Sequence, residues 1–195
     1  MLSSEGIDVR LLAIDVADKS SIQAAAETVR AADGQLDVLI NNASIPGSYA
    51  APGEQAVSEI ETIYQTNVFG PIRATQAFLP LLRASGQASV IMVSSGLGSL
   101  TWLSDPTHPY HAVNILGYNS SKTALNAVTV SLAKDLAKDG INVNAADPGY
   151  TKTDFNNHSG YRTVQQAADT IVWLATQDSS GPTGEFFFDR RHAPW

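Results

Sequence analysis

An α/β fold built on a doubly wound parallel sheet is predicted by two patterns in the sequence. Short apolar runs alternate with stretches of helical periodicity along the whole chain, the order expected when helices cross over between parallel strands. Runs such as LDVLIN (36–41) and ASVIMVS (88–94) are apolar almost throughout, as strands are when helices cover both faces of their sheet. A third observation bounds the size of the answer. With 195 residues, 44% of them apolar and 16% charged, the chain can build one core, and no repeat, low-complexity tract or linker divides it. Residues 1–195 are therefore expected to form a single domain.

The elements follow in order. DVRLLAID (8–15) reads as a short buried strand ending at Asp15. In KSSIQAAAETVRAADG the residues Ile22, Ala25, Ala26 and Val29 share one helical face, with Asp18 as the cap and Gly34 as the stop. LDVLIN is the second strand. A loop with Pro46, Gly47, Pro52 and Gly53 leads to a long helix from about Ser58 to Arg83, and ASVIMVS is the third strand. The stretch from Gly96 to Gly117 is rich in Gly, Pro, Ser and His and reads as an ordered surface loop. Helix returns at 118–139 and closes on Gly140. INVNAAD (141–147) is strand, 164–177 helix, and EFFFD (185–189) a last strand.

Bulk composition removes several classes of function. A net charge of −7 repels nucleic acid and anionic membranes, so neither is an expected partner. The absence of cysteine excludes disulfides, thiolate metal sites and cysteine nucleophiles. MLSSEGIDVR has no basic region followed by an apolar run, and no apolar stretch is long enough to cross a bilayer. A soluble, cytoplasmic protein is expected.

The chemistry is carried by a constellation. Tyr118 and Lys122 in GYNSSKTAL lie four residues apart, so a helix makes them neighbours. Tyrosine titrates near pH ~10, and an adjacent ammonium stabilises the phenolate, giving a pair able to move a proton to or from a carbonyl oxygen. Alone the pair is a weak signal, since chance places Y-x-x-x-K in a chain this long roughly one time in three. Its company is stronger. Asn41-Asn42-Ala43-Ser44, Ser94-Ser95 and Pro148-Gly149 each follow a strand directly, at the carboxyl ends where open α/β sheets bind ligands. Asn67 falls in line with Ile60, Ile63 and Tyr64 on a buried helical face. Pro71, four residues on, cannot donate to the Asn67 carbonyl, so a kink is expected there.

These motifs, taken in order with Asp147-Pro148-Gly149-Tyr150-Thr151-Lys152-Thr153-Asp154, resemble the short-chain dehydrogenase/reductase superfamily over nearly the whole chain. The long segment between Ser95 and Tyr118 resembles its carbonyl-reductase-like branch. The resemblance implies a Rossmann-like fold and an NAD(P)(H)-dependent oxidoreductase acting on a small carbonyl or alcohol substrate. It implies a catalytic set of Asn67, Ser95, Tyr118 and Lys122: Ser95 bonds the substrate carbonyl, Tyr118 transfers the proton, Lys122 depresses the tyrosine's pKa and binds ribose, and Asn67 holds a water in the relay. It further implies cofactor contacts from Asp15, Asn42, Ala43, Pro148, Gly149, Thr151 and Thr153, besides Tyr118 and Lys122. Ser44 stands where the family pattern has Gly and puts a side chain beside the cofactor. NADP is slightly favoured over NAD; substrate and oligomeric state stay open.

The resemblance also marks a gap. The family sheet opens with a strand, a Gly-rich turn and a helix whose N-terminus cradles the cofactor's diphosphate, and this sequence shows none of them. The strands ending at Asp15 and Asn41 then have no neighbour between them, leaving unpaired backbone groups or a rearranged sheet. Two expectations follow: a catalytically inactive fragment or binding subunit, or a protein whose true start lies upstream, with Met1 near the end of the second helix. Three other signals lead nowhere. Gly96-Leu97-Gly98-Ser99-Leu100-Thr101 mimics a Gly-rich fingerprint but ends on Thr. His108 and His111 beside Asp105 suggest a loop rather than a metal site, so no metal is expected. Ser95 lacks the flanking glycines of a hydrolase elbow.

Overall fold

Local signals decide the first helix. Asp18 accepts a hydrogen bond from the Ser20 N–H at the head of α1 (Lys19–Asp33), and Gly34 closes it with φ at +73° and its own N–H on the Arg30 carbonyl. The computed structural model describes residues 8–195. After α1 come β1 (Val38–Asn41), α2 (Val57–Tyr64), α3 (Gly70–Ser85), β2 (Ala88–Val93), α4 (Leu100–Ser104) and α5 (Leu116–Leu136). The chain ends with β3 (Ile141–Asp147), α6 (Val164–Ala175), β4 (Phe186–Phe188) and β5 (Arg191–His192).

The sheet has the order β1-β2-β3-β4-β5, parallel from β1 to β4, with β5 antiparallel at the far edge. Val90 sits opposite Val143, and Ala145 opposite Phe186. Side-chain alternation sorts the core into two layers. Val90, Met92, Val143, Ala145 and Phe186 pack under α1, α3 and α5 through Ile22, Phe78, Leu82 and Leu125. Ile91, Ala146 and Phe187 face the opposite way and pack on Leu174 of α6. Helices therefore cover both faces, unequally.

The structure corrects three expectations. Residues 8–15 form no strand. Leu11 is 96% exposed, and Val9, Leu12 and Ile14 are exposed as well. A strand needs a neighbour's N–H and C=O groups, and among the described residues this segment pairs with none. It ends instead in a turn, where the Asp15 carbonyl accepts from Asp18 N and Asp15 N donates to Ser21 Oγ. The long helix expected over 58–83 is broken by a π-helical turn, Gln65–Phe69, which absorbs the constraint imposed by Pro71. The expected surface loop 96–117 contains α4 and two 3₁₀ turns, Gly96–Gly98 and Pro109–Ala112, ordered by the stacking of Trp102 on His108. EFFFD does form a strand at Phe186–Phe188, where β4 lies between β3 and β5 with Phe186 and Phe187 buried.

Candidate active site

Each parallel strand delivers a polar residue at its carboxyl end. Asn41 at the end of β1 is buried and donates to Thr75 Oγ1 and Met92 Sδ, both at 3.3 Å, so it ties strand to helix. Asn42 and Ala43 follow it into the open. Beyond β2, Ser94 N donates to the Ala146 carbonyl and Ser94 Oγ to Asn126 Oδ1, which fixes where Ser95 emerges. Ser95 caps the 3₁₀ turn, its Oγ accepting from Leu97 N at 3.2 Å.

Asn67 lies inside the π-turn with no exposure. Its Oδ1 accepts from Ile45 N (2.9 Å) and Ser44 Oγ (3.1 Å), and its Nδ2 donates to the Ile45 carbonyl and Ser121 Oγ, both at 3.0 Å. The side chain thus holds the loop after β1 to α5. The hydroxyl of Ser44, where a glycine was expected, is one of its partners.

Tyr118 and Lys122 share a face of α5, with Lys122 Nζ 5.6 Å from the Tyr118 ring centre. Lys122 is 2% exposed, and its Nζ donates to the Val93 carbonyl at 2.9 Å. The Ser95 hydroxyl lies beside the Tyr118 phenol, and Phe155 packs at 5.9 Å from its ring. Tyr118, Lys122, Ser95 and Asn67 are thus brought to one place. Pro148 and Gly149 front the same end of the sheet, Gly149 at φ +68° with no room for a Cβ beside Arg162. Thr151 Oγ1 donates to the Pro148 and Gly149 carbonyls, while Thr153 caps the 3₁₀ turn Asp154–Asn156. Asp15 is exposed, in the turn before α1 rather than at a strand end. His108 Nδ1 is taken by Tyr110 N and His111 Nδ1 by the Leu103 carbonyl.

Burial governs the charges of the site. Burial pushes the Tyr118 phenol up, partly offset by Ser95 and reinforced by Asp147. Burial pulls the Lys122 ammonium down to about 8, against the opposing pull of Asp147.

Asp147 is the residue sequence reasoning missed. The signal was a carboxylate closing a strand that is buried along its whole length. It is 3% exposed; Oδ1 accepts from Gly149 N at 2.8 Å, and Oδ2 has no partner. Burial raises its carboxyl to about 6 from an ordinary 3.8. The native state holds this proton more tightly than the unfolded chain does, so stability is intact below about pH 3.8 and falls as pH rises through about 6. The loss at neutral pH is about 3 kcal/mol. Asp147→Asn is expected to abolish this pH dependence, so thermal unfolding of the variant should change less between pH ~4.5 and ~7.5 than that of the wild type, by roughly 4–8 °C. Equal pH slopes in the two proteins would exclude the assignment.

The residues present fit half of a nicotinamide dinucleotide. The left-handed Gly149 turn, the exposed Asn42-Ala43 corner and the Tyr118–Lys122 pair suit the nicotinamide-ribose end. For the diphosphate, no Gly-rich turn feeds a helix N-terminus among the described residues, and α1 begins at an aspartate cap, which repels phosphate.

A model of the family described as short chain dehydrogenase matches residues 1–162. The short-chain dehydrogenase anuI of Penicillium roqueforti is 37% identical over 181 residues, covering 91% of this chain and 71% of that protein. A (+)-neomenthol dehydrogenase of Arabidopsis thaliana is 31% identical, over 91% of this chain and 76% of its own. Among solved structures, the NADPH-bound carbonyl reductase from chicken fatty liver superposes with a TM-score of 0.87 at 27% identity, covering 100% of this chain and 80% of the other. The carbonyl reductase Sniffer of D. melanogaster gives 0.84 at 28%, over 94% and 77%.

Proposed function

This chain belongs to the short-chain dehydrogenase family, and from that premise we propose that it is an NAD(P)-dependent oxidoreductase interconverting a small carbonyl compound and its alcohol, with Tyr118 as the acid-base group. The observation that carries this reading is the meeting of Tyr118, Lys122 and the Ser95 hydroxyl at the carboxyl ends of β2 and β3. Ser95 Oγ donates a hydrogen bond to the substrate oxygen and holds it against the phenol. Tyr118 Oη gives that oxygen its proton in reduction and takes it back in oxidation. Lys122 holds positive charge behind the ring and faces the ribose, and Asn67 keeps the Ser44–Ile45 turn in place beside the reacting centre. Hydride transfer is the chemistry that the nicotinamide supplies when bound.

NADP is proposed over NAD because the chicken reductase is NADPH-bound. Pro148, Gly149, Thr151 and Thr153 line the nicotinamide end, Asn42 and Ala43 the ribose, and Asp15 the adenine side. The exposed Tyr49 and Phe155 beside Tyr118 suit an apolar carbonyl substrate. The acting unit is the whole chain as one domain. No helix among the described residues is long and apolar enough to cross a membrane, and a cytoplasmic location accompanies the proposal.

A second reading, a cofactor-free binding subunit, is favoured by the outer edge of β1, which pairs with no strand among the described residues, and by the aspartate at the head of α1. One titration separates the two. NADPH fluorescence is expected to change on adding the chain, and NADPH to be consumed when an apolar ketone is supplied. No fluorescence change at millimolar cofactor would favour the binding subunit.

A further inference from the structure

The turn that follows β3 is gripped by one side chain. Gly149 stands at φ +68°, and a Cβ there would lie 2.5 Å from Arg162 Cδ, 3.1 Å from Arg162 Nε and 3.0 Å from Phe188 Cε2. The Gly149 backbone therefore rests directly on the arginine stem. The guanidinium lies 4.9 Å over the Phe188 ring. Its Nη1 donates to Asp189 Oδ2 at 3.1 Å, and its Nη2 donates to Asp189 Oδ1 and to the Gln166 carbonyl, the latter at 3.0 Å. A planar fork on a carboxylate, with one face on an aromatic ring, leaves the side chain little freedom. The main chain of Arg162 holds the same turn. Its N–H donates to the Tyr150 carbonyl at 3.1 Å, and its carbonyl accepts from Lys152 N at 2.9 Å. Residues 152–161, which place Phe155 against Tyr118, thus leave and return at one neck.

The anchor is itself held. Asp189 and Arg190 turn β4 into β5 with φ of +47° and +58°, a left-handed pair built without glycine. Arg190 N donates to Thr170 Oγ1 at 3.1 Å, and its guanidinium pairs with Asp169, so α6 fixes the tip of the hairpin. Two features run against stability alone: the left-handed pair, and the buried Arg162 Nε, which has no hydrogen-bond partner among the described residues. We infer that Arg162, braced by Asp189, is a positioning residue that sets the shape of the Gly149 turn and with it the nicotinamide end of the site. It acts through the Gly149 backbone and not on the reacting atoms. The inference rests on the oxidoreductase reading for its catalytic consequence, and on the contacts of Arg162 for the rest.

The test compares Arg162→Met, which keeps an unbranched stem against Gly149 and removes the fork, with Asp189→Asn and the double variant. Each is assayed well below its own melting temperature. Either single variant is expected to raise KM for NADPH about tenfold. The double variant should exceed Arg162→Met by no more than about twofold, because the two residues act as a unit. Arg162→Lys, which keeps the charge and loses the fork, should recover only part of the affinity. A purely structural ion pair would lower the melting temperature and leave KM alone. A KM within about twofold of wild type in folded Arg162→Met therefore overturns the inference, as do effects that multiply in the double variant. Asp189→Asn, at a half-exposed side chain, serves by the same criterion if Arg162→Met misfolds. Amide hydrogen exchange in the unliganded chain reads the turn without cofactor: peptides spanning 149–162 should exchange about tenfold faster in Arg162→Met. A wild type that binds no NADPH refutes the oxidoreductase reading. The exchange rates then decide the role of Arg162, and unchanged rates overturn it.

Discussion

Tyr118→Phe is expected to lower turnover by about 10²–10⁴-fold while the protein stays folded. The substitution removes one hydroxyl and keeps the ring, which packs 5.9 Å from Phe155 and lies under Lys122. The phenol is desolvated in the free site, so losing its hydroxyl removes a buried polar atom whose neighbour is Ser95. Stability should change by no more than about 1 kcal/mol. Steady-state kinetics with NADPH and a ketone, alongside a thermal melt, separate the two quantities. Turnover within about threefold of wild type in a folded variant would remove Tyr118 from the proton-transfer step, since a positioned acid contributes far more than that.

Asn67→Ala is expected to cost about 3–5 kcal/mol, because it orphans several buried partners at once. The Ile45 N–H and carbonyl both lose their bond to the Asn67 side chain, as do the Ser44 and Ser121 hydroxyls. Asn67 is wholly buried, so its replacement by Ala leaves these groups facing a cavity. At roughly 2–4 °C per kcal/mol, the melting temperature should fall by about 10 °C. Activity should fall as well, at temperatures where the variant remains folded, because the turn between Asn42 and Ile45 loses its anchor to α5. A melting temperature unchanged within a degree would mean that water or a rearranged loop replaces the amide, and the structural role assigned to Asn67 would be withdrawn.

Both predictions concern residues legible in the sequence, and they were legible for different reasons. Tyr118 and Lys122 announce themselves because four-residue spacing on a helix is a local property, and Asp18 and Gly34 mark α1 for the same reason. Asn67 could be picked out by its place on a buried face and by Pro71, but its four partners come from a loop 22 residues before it and a helix 54 residues after it. No spacing rule reaches that far. The π-turn is an intermediate case, where the proline foretold a disturbance and packing chose its form.

Composition, periodicity and caps determined by themselves the helices α1, α5 and α6 and the strands β1 to β4, the parallel α/β class, and the set of polar residues at strand ends. Those properties depend on neighbours within a turn or two of chain. The tertiary structure alone decided the rest. DVRLLAID has the pattern of a strand and forms none, because a strand exists only through a partner's hydrogen bonds and this one has no partner among the described residues. Asp147 reads as the polar end of a strand, yet pairing with Ala88–Val93 and the close turn at Gly96 bury its carboxyl at the carboxyl end of the sheet. Burial disfavours the charged form of both Asp147 and Lys122, and burial is a property of the assembled core, not of any segment of its sequence.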